Sequence, residues 1–155
     1  MRPPLEEPIG LQVTRTAKLL SRAFDDALVA AGGSLPVWLV LVSLKGQKHR
    51  QQGDLAAAVG VEGPTLTHHL NRMEAAGWVV RSRDPQNRRI HRVELTKAGN
   101  ALFVRLLASV IQFDRQLRRG LSEKDIANLA RLLERLRDNT TAQRIATQLK
   151  PYVME

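Results

Sequence analysis

The stretch that most constrains the fold is residues 51–96, QQGDLAAAVGVEGPTLTHHLNRMEAAGWVVRSRDPQNRRIHRVELT. Apolar residues at helical spacing, ended by glycines, predict two short helices in its first half. β-leaning runs on either side of a Pro-Gln-Asn turn predict two strands in its second half. This order predicts a helix-turn-helix followed by a hairpin wing. The predicted helices are 54–59 and 63–76, and the predicted strands are 78–83 and 91–95.

The flanking segments predict helices that support this motif. Helical spacing covers residues 9–31, and Gly32-Gly33 closes that helix. The apolar run 37–44 fits either a buried strand or a buried helix, and the Ser34 N-cap favours the helix. After the wing, Thr96 caps a helix over 97–119, and the run 122–125 opens another helix with a weak capping box. The tail after Asn139 has room for another short helix before Pro151, but the sequence does not place one.

These terminal helices carry apolar stripes that a chain of 155 residues cannot easily bury within one monomer. They therefore predict a helical interface between two copies. The resulting fold class is mainly α (α+β), with a two-strand wing on the helix-turn-helix lobe. We predict one domain over 1–155, with 35–96 as the winged lobe and with 9–34 and 97–140 as the dimerisation region.

Positive charge is concentrated in the winged stretch. The chain has 24 Lys+Arg and 15 Asp+Glu, a net charge of +9. Ten of these basic residues, against five acidic ones, lie between Lys45 and Lys97. A basic surface of this kind usually meets nucleic acid or an anionic membrane. Its coincidence with the motif favours nucleic acid.

The second predicted helix supplies candidate DNA contacts. A helix fits the major groove, where polar residues near its N-terminal end reach base edges and phosphates. Thr65, Thr67 and His68 lie in its first turns, and Arg72 follows one turn later. For each residue alone, the competing interpretation is the solvated face of an amphipathic helix.

The wing supplies a stronger signal. Five arginines and one acidic residue lie between Arg81 and Arg92. Arg88 and Arg89 fall near the tip, where a guanidinium suits a narrow minor groove. Asp84 is predicted either to pair with a neighbouring arginine or to be a solvated turn residue. A loop kept for solubility is the alternative, but mixed charges would serve that purpose equally well.

Composition excludes several other classes of protein. The absence of cysteine excludes a disulfide scaffold, a cysteine-ligated zinc finger and a cysteine redox sensor. No apolar run approaches the roughly 20 residues of a membrane span, and MRPPLEEPIG has no secretory signal core. We therefore expect a soluble, cytoplasmic protein with no membrane partner.

Two quoted motifs resemble those of the MarR (multiple antibiotic resistance regulator) family. The stretch VGVEGPTLTHHLNRMEAAGW, 59–78, is similar to the family's recognition helix. The stretch DPQNRRIHRVELT, 84–96, is similar to its wing signature. With the flanking helices, the resemblance covers roughly residues 10–140. It implies a winged-helix homodimer that binds a pseudo-palindromic operator on double-stranded DNA, usually as a repressor.

The resemblance assigns groove contacts to Thr65, Thr67 and His68, and minor-groove insertion to Arg88 and Arg89. Two positions depart from the family pattern. Asn87 stands where aspartate is usual, so Asp84 is the candidate to brace the wing instead. His68 stands where arginine is common, which puts the strength and the pH dependence of that contact in doubt.

Many relatives bind small phenolic or anionic effectors between the DNA-binding lobe and the dimer helices. The candidate ligand-binding residues here are Arg15, Arg22 and Trp38. The favoured alternative places Trp38 in the core and the arginines over apolar surface. The lack of cysteine removes the peroxide-sensing branch of the family from consideration.

Three other functions compete with a sequence-specific regulator. A non-specific architectural nucleic-acid binder would use the same basic wing, and a protein-interaction module would use the fold without nucleic acid. An enzyme is least favoured, because no nucleophile–base pair or phosphate-binding glycine loop is visible. No cofactor or metal is predicted, since His68 and His69 are adjacent on a helix and point about 100° apart.

Overall fold

The structure is a computed structural model that describes residues 7–46 and 50–153, with side chains as far as residue 141 except at residue 50. The described residues form six helices and three strands. The elements are α1 (Ile9–Ala30), α2 (Leu35–Gly46), β1 (Arg50–Gln51), α3 (Gln52–Val59), α4 (Gly63–Ala75), β2 (Val79–Arg83), β3 (His91–Leu95), α5 (Lys97–Leu117) and α6 (Glu123–Val153). The predicted fold class, mainly helical with a winged helix-turn-helix, is confirmed.

The turn between α1 and α2 is fixed by hydrogen bonds from both sides. The N–H of Gly33 donates to the carbonyl of Leu28 at 2.9 Å, while Gly32 has a φ of +93° that favours glycine. Asp25 Oδ1 accepts from the N–H of Leu35 at 3.0 Å and so caps α2. The apolar run 37–44 is thus helical, and the interpretation as a strand is wrong.

No single helix among the described residues is long and apolar enough to cross a membrane. Taken together, α1 and α2 meet the length and composition expected of a membrane span, but the pair is bent by 76° at its break. Much of the apolar surface of α2 is used for packing, because Trp38, Val40, Leu41 and Leu44 are buried within the protein.

The core of the first compact unit, which ends at Phe113, lies behind the helix-turn-helix. It draws side chains from all the helices of this unit and from both long strands. Burying such side chains stabilises each by roughly 1.5–3 kcal/mol. The fully buried members are Leu28, Val40, Leu41, Leu55, Leu66, Leu70, Met73, Val79, Val93, Leu102 and Leu106.

The sheet has the order β1-β3-β2 and is antiparallel throughout. The register of the hairpin runs from Val79 opposite Leu95 to Arg83 opposite His91. The sequence predicted these two strands but not β1, a two-residue strand that pairs with β3 on the other side. Two residues carry too little periodicity to be recognised in the sequence.

The second compact unit begins at Asp114 and contains α6. Ser122 and Asp125 form the predicted capping box: Ser122 Oγ accepts from the N–H of Asp125 at 3.2 Å, and Asp125 Oδ2 accepts from the N–H of Ser122 at 2.9 Å. The Ser122 hydroxyl, which donates to Asp125 Oδ2 at 2.6 Å, and then the Ser122 N–H hold the pKa of the Asp125 carboxyl below its usual value. The tail after Asn139 continues α6 to Val153 and does not form a separate short helix.

Candidate nucleic-acid interface

Helix α4 has one buried face and one exposed face, as its sequence predicts. Leu66, Leu70 and Met73 are buried, while Thr65 and His68 are exposed. Helix α4 begins at Gly63-Pro64, and the side chain of Glu62 makes no capping hydrogen bond among the described residues. The first-turn N–H groups are thus open to an anion.

Thr67 is half-buried, and its hydroxyl already has two partners. It donates to the carbonyl of Gly63 at 3.0 Å and accepts from Gln52 Nε2 at 2.9 Å. Thr67 therefore links the starts of α3 and α4. The groove contact assigned to it stays a prediction, and its methyl group and one lone pair are what remain for DNA.

A cavity of about 460 Å³ lies along the inner side of α4. Arg72 lines this cavity together with His69, on the side where α1 and α2 meet. Burial, followed by the charges of His68 and Arg72, lowers the pKa of His69. Arg72 is exposed, so it stands between the cavity and the outer face of α4. Its predicted DNA contact stays a prediction.

The loop between β2 and β3 is organised by Asp84, which is only 6% exposed. Its Oδ1 accepts from the N–H groups of Gln86 at 2.8 Å and Asn87 at 3.4 Å, and its Oδ2 accepts from Arg92 Nε at 2.8 Å. The Gln86 N–H, with the Arg92 guanidinium second, lowers the pKa of Asp84. Of the two interpretations for Asp84, the pair with an arginine is confirmed.

Arg88 and Arg89 are exposed in this loop. The N–H of Arg89 donates to Asn87 Oδ1 at 3.1 Å, so Asn87 supports the turn that carries the arginines. Arg89 also lines a cleft of about 330 Å³ with Thr67 and Gln52. The structure thereby brings one wing arginine and the start of α4 to the same cleft.

The family comparison covers this lobe. The family model described as MarR family matches residues 34–91, which contain α2, the helix-turn-helix and the wing loop. Residues 34–91 are thus similar in sequence to the MarR family. The resemblance inferred from the two sequence motifs is therefore confirmed.

Solved structures extend the likeness to most of the chain. The transcriptional repressor CouR, bound to a 23-mer DNA duplex, is 24% identical with a TM-score of 0.76, covering 83% of this chain and 92% of CouR. A probable transcriptional regulator from Pseudomonas aeruginosa is 26% identical with a TM-score of 0.74, covering 85% and 98%. BpsR of Bordetella bronchiseptica, whose DNA binding is regulated by 6-hydroxynicotinic acid, is 22% identical with a TM-score of 0.76, covering 89% and 99%.

The winged lobe contains an ion-pair network that the sequence analysis did not predict. Glu74 and Asn71 of α4 both bind the guanidinium of Arg81 on β2. The alternation of β2 places Arg81 on the same side as the buried Val79, and that signal alone would have marked it as an inward-facing arginine in need of a partner.

The three predicted effector residues lie apart from the cavity beside α4. Trp38 is buried and stacks on Phe103 with ring centroids 5.6 Å apart. Arg15 is exposed and pairs with Glu7, and Arg22 is exposed. None of the three lines the 460 Å³ cavity. This arrangement agrees with the alternative in which Trp38 is core, and the ligand role of the set stays a prediction.

Proposed function

We propose that this protein is a sequence-specific transcriptional regulator, a homodimeric repressor on a pseudo-palindromic operator. The observation that carries the proposal is the placement of Arg88 and Arg89, exposed on a wing that directly follows the exposed face of α4. A winged DNA-binding protein needs two parts to recognise a sequence: a helix that enters the major groove and a cationic loop that enters the adjacent minor groove. The MarR-family segment and the DNA-bound CouR structure support it.

The side chains divide the work of recognition. His68 points outward from α4 and donates to base or phosphate oxygens, and the open first turn of α4 favours a phosphate. Arg88 and Arg89 supply electrostatic attraction that does not depend on sequence. Because the outward face of α4 offers few strong base readers, DNA shape at the wing contributes much of the selectivity.

The proposed dimer rests on apolar surface left exposed in each unit. On α1, Ile9 is 60% exposed and Leu19 is 68% exposed, and on α5 Val104 is 64% exposed. On α6, Leu129, Leu132 and Leu133 are exposed at helical spacing. We assign 9–34 and 97–140 to dimerisation and 35–96 to DNA. Two copies then place two recognition helices about one helical turn of DNA apart.

Selection from a library of random DNA duplexes tests the proposal. We expect the full chain to enrich a two-fold symmetric sequence whose affinity falls steeply with salt concentration. A flat profile across sequences would indicate a non-specific architectural binder and would overturn the proposal.

Charge-removal variants separate a nucleic-acid binder from a protein-interaction module. Arg88→Gln with Arg89→Gln should weaken DNA binding by at least about tenfold and reduce the salt slope. Lys18→Gln with Lys124→Gln removes the same charge from exposed positions on α1 and α6 and should leave binding unchanged. If the wing variant bound DNA as tightly as the native protein, both the sequence-specific regulator and the architectural binder would be contradicted.

We also propose that a small anionic aromatic effector releases the DNA. The cavity beside α4 supports this, because His69 and Arg72 belong to the recognition helix and Trp78 supplies an aromatic wall. BpsR, which responds to 6-hydroxynicotinic acid, shares the fold. Aromatic carboxylates titrated against the protein–DNA complex should include one that dissociates it, and Ala76→Leu, which narrows the cavity, should abolish that response. A panel without effect, or a response that survives Ala76→Leu, would exclude this site.

A further inference from the structure

We propose that Arg81 is a positioning residue for DNA recognition, which fixes the wing to the recognition helix through Glu74 and Asn71. This inference rests on the proposed function and adds a determinant of its specificity. DNA reading by a helix and a wing requires a fixed offset between the two, because a shift of about 1 Å at either one breaks its hydrogen bonds.

The geometry of the Arg81 network is that of a clamp. Its guanidinium donates to Glu74 Oε2 through Nε at 3.1 Å and through Nη2 at 2.6 Å. The same Nη2 donates to Asn71 Oδ1 at 2.6 Å. The backbone N–H of Arg81 donates to Glu74 Oε1 at 3.1 Å. Both the side chain and the backbone of β2 are thus tied to one carboxylate of α4.

The two charged side chains of the clamp are partly buried. The side chain of Arg81 is 21% exposed and that of Glu74 is 39% exposed. The side-chain hydrogen bond from Arg81 lowers the pKa of Glu74, so the carboxylate stays ionised near neutral pH. Planar guanidinium hydrogen bonds define an orientation as well as a distance, which a lysine at this position would not provide.

Arg81 lies at a position from which the clamp can fix the orientation of the wing. It lies at the centre of β2, opposite Val93 of β3, between the buried start of the hairpin and the loop that carries Arg88 and Arg89. A hairpin held at its centre transmits the orientation of α4 to its tip. Without the clamp, the hairpin would keep its strand pairing and the buried contacts of Val79 and Val93, but it would lose these side-chain bonds to α4.

Asn71 connects the clamp to the DNA-facing surface. It is exposed on α4 and lies three residues after His68, hence on the same side of the helix. Because Asn71 Oδ1 accepts from Arg81, the amide orientation is set and its NH₂ group is left to donate to DNA acceptors. The network therefore orients one further contact residue that the sequence did not single out.

The test compares Arg81→Met with Arg83→Met in the full-length chain. Arg83 lies two residues along the same strand and is exposed, so its variant removes the same charge from the same face. Each protein is measured against the duplex selected by the native protein and against a scrambled duplex of the same composition, over a range of salt concentrations. Circular dichroism records that each variant is folded.

We expect Arg81→Met to bind the selected duplex about tenfold more weakly, with little change on the scrambled duplex and an unaltered salt slope. Arg83→Met should leave the ratio of the two affinities unchanged. Glu74→Gln, which keeps an acceptor for the backbone N–H, should reproduce the loss, and the double variant should add little to it. If Arg81→Met fails to fold, the ratio of the two affinities in Glu74→Gln alone tests the proposal.

Two results would overturn the inference. An unchanged affinity ratio in Arg81→Met or Glu74→Gln would mean that the clamp does not position the wing. A salt slope reduced by about one phosphate equivalent would mean that Arg81 contacts DNA directly. A native protein without any preferred duplex would instead remove the proposed function itself, so the two failures are distinguishable.

Discussion

At the scale of single residues, Asp84 determines the conformation of the wing loop. Its carboxylate lies at the base of the loop and accepts from two loop N–H groups and from Arg92 on β3. A buried carboxylate is tolerated because each oxygen has a donor. Asn87, which stands where the family usually has aspartate, supports the turn by accepting from Arg89. Asp84 thus stabilises the wing loop with a carboxylate, although position 87 carries asparagine.

The linkage between Asp84 and folding gives a pH prediction. Its folded pKa is lowered from 3.8, chiefly by the Gln86 N–H and then by Arg92. A depressed carboxyl pKa contributes stability that is present above 3.8 and is lost as pH falls through the folded value. We expect Asp84→Asn to lower the melting temperature at neutral pH and to flatten the decline in stability between pH 5 and pH 2 (about the range over which such a group titrates).

Thermal unfolding followed by circular dichroism across this pH range measures the effect. Asp26→Asn, an exposed aspartate on α1, is the matched control and should follow the native curve. A native and an Asp84→Asn protein with parallel pH profiles would contradict the role assigned to this carboxylate.

Residue roles were predictable where neighbours in the chain decide them. The pairing of Asp84 with an arginine follows from the hairpin itself, which returns Arg92, eight residues on, to the base of the loop. The partner of Thr67 could not be predicted, because Gln52 lies fifteen residues earlier on another helix. Placing a hydroxyl on the exposed face of a helix does not reveal which side chain of a second helix reaches it.

At the scale of secondary-structure elements, the start of α5 is joined to the turn before β2. Thr96 Oγ1 accepts from the N–H of Gly99 at 3.0 Å and donates to the carbonyl of Gly77 at 2.6 Å. Its N–H donates to the carbonyl of Trp78 at 3.1 Å. The sequence predicted Thr96 as the cap of α5, whereas the contact with the Gly77-Trp78 turn depends on how the elements pack.

This packing predicts that Gly99 has no room for a side chain. A Cβ there would lie 2.0 Å from the carbonyl oxygen of Trp78, a backbone atom that cannot move cheaply. We expect Gly99→Ala to destabilise the protein by about 3 kcal/mol, the range of overpacked cores. Chemical denaturation measures the free energy of unfolding.

Gly53→Ala supplies the control for this substitution, because Gly53 is also helical and a Cβ there meets nothing within 4 Å. It should leave stability unchanged or raise it by about 0.5–1 kcal/mol, through the intrinsic preference of helices for alanine. If the two alanine variants were equally stable, the close approach of α5 to Trp78 would be refuted.

At the scale of the whole molecule, the apolar stripes of the terminal helices predict association. The sequence located these stripes but could not show which of them pack within the chain. In the structure, Leu102 and Leu106 of α5 are buried in the core, so part of the apolar stripe of α5 packs within the chain. Helix α6 has no buried residue among its described side chains, so its leucines remain available to a second copy.

The proposed dimer is tested by placing charge on the leucine stripe of α6. Leu129 and Leu133 are 49% and 39% exposed, and they lie one turn apart on the same face. A self-complementary interface buries such residues against their symmetry mates. We expect Leu129→Glu with Leu133→Glu to convert a dimer into a monomer in sedimentation equilibrium and to weaken binding of the selected duplex by more than about a hundredfold, since two half-sites would no longer bind together.

Ala127→Glu is the control, because Ala127 is exposed on the opposite face of α6. It should remain dimeric and bind DNA as the native chain does. Circular dichroism distinguishes a folded monomer from an unfolded chain, and either state supports an interface on this stripe, because the subunits of an obligate dimer often do not fold alone. A double variant that stays dimeric and keeps its DNA affinity would place the interface elsewhere, and a native chain that sediments as a monomer would leave the apolar surface of α6 without the partner proposed for it.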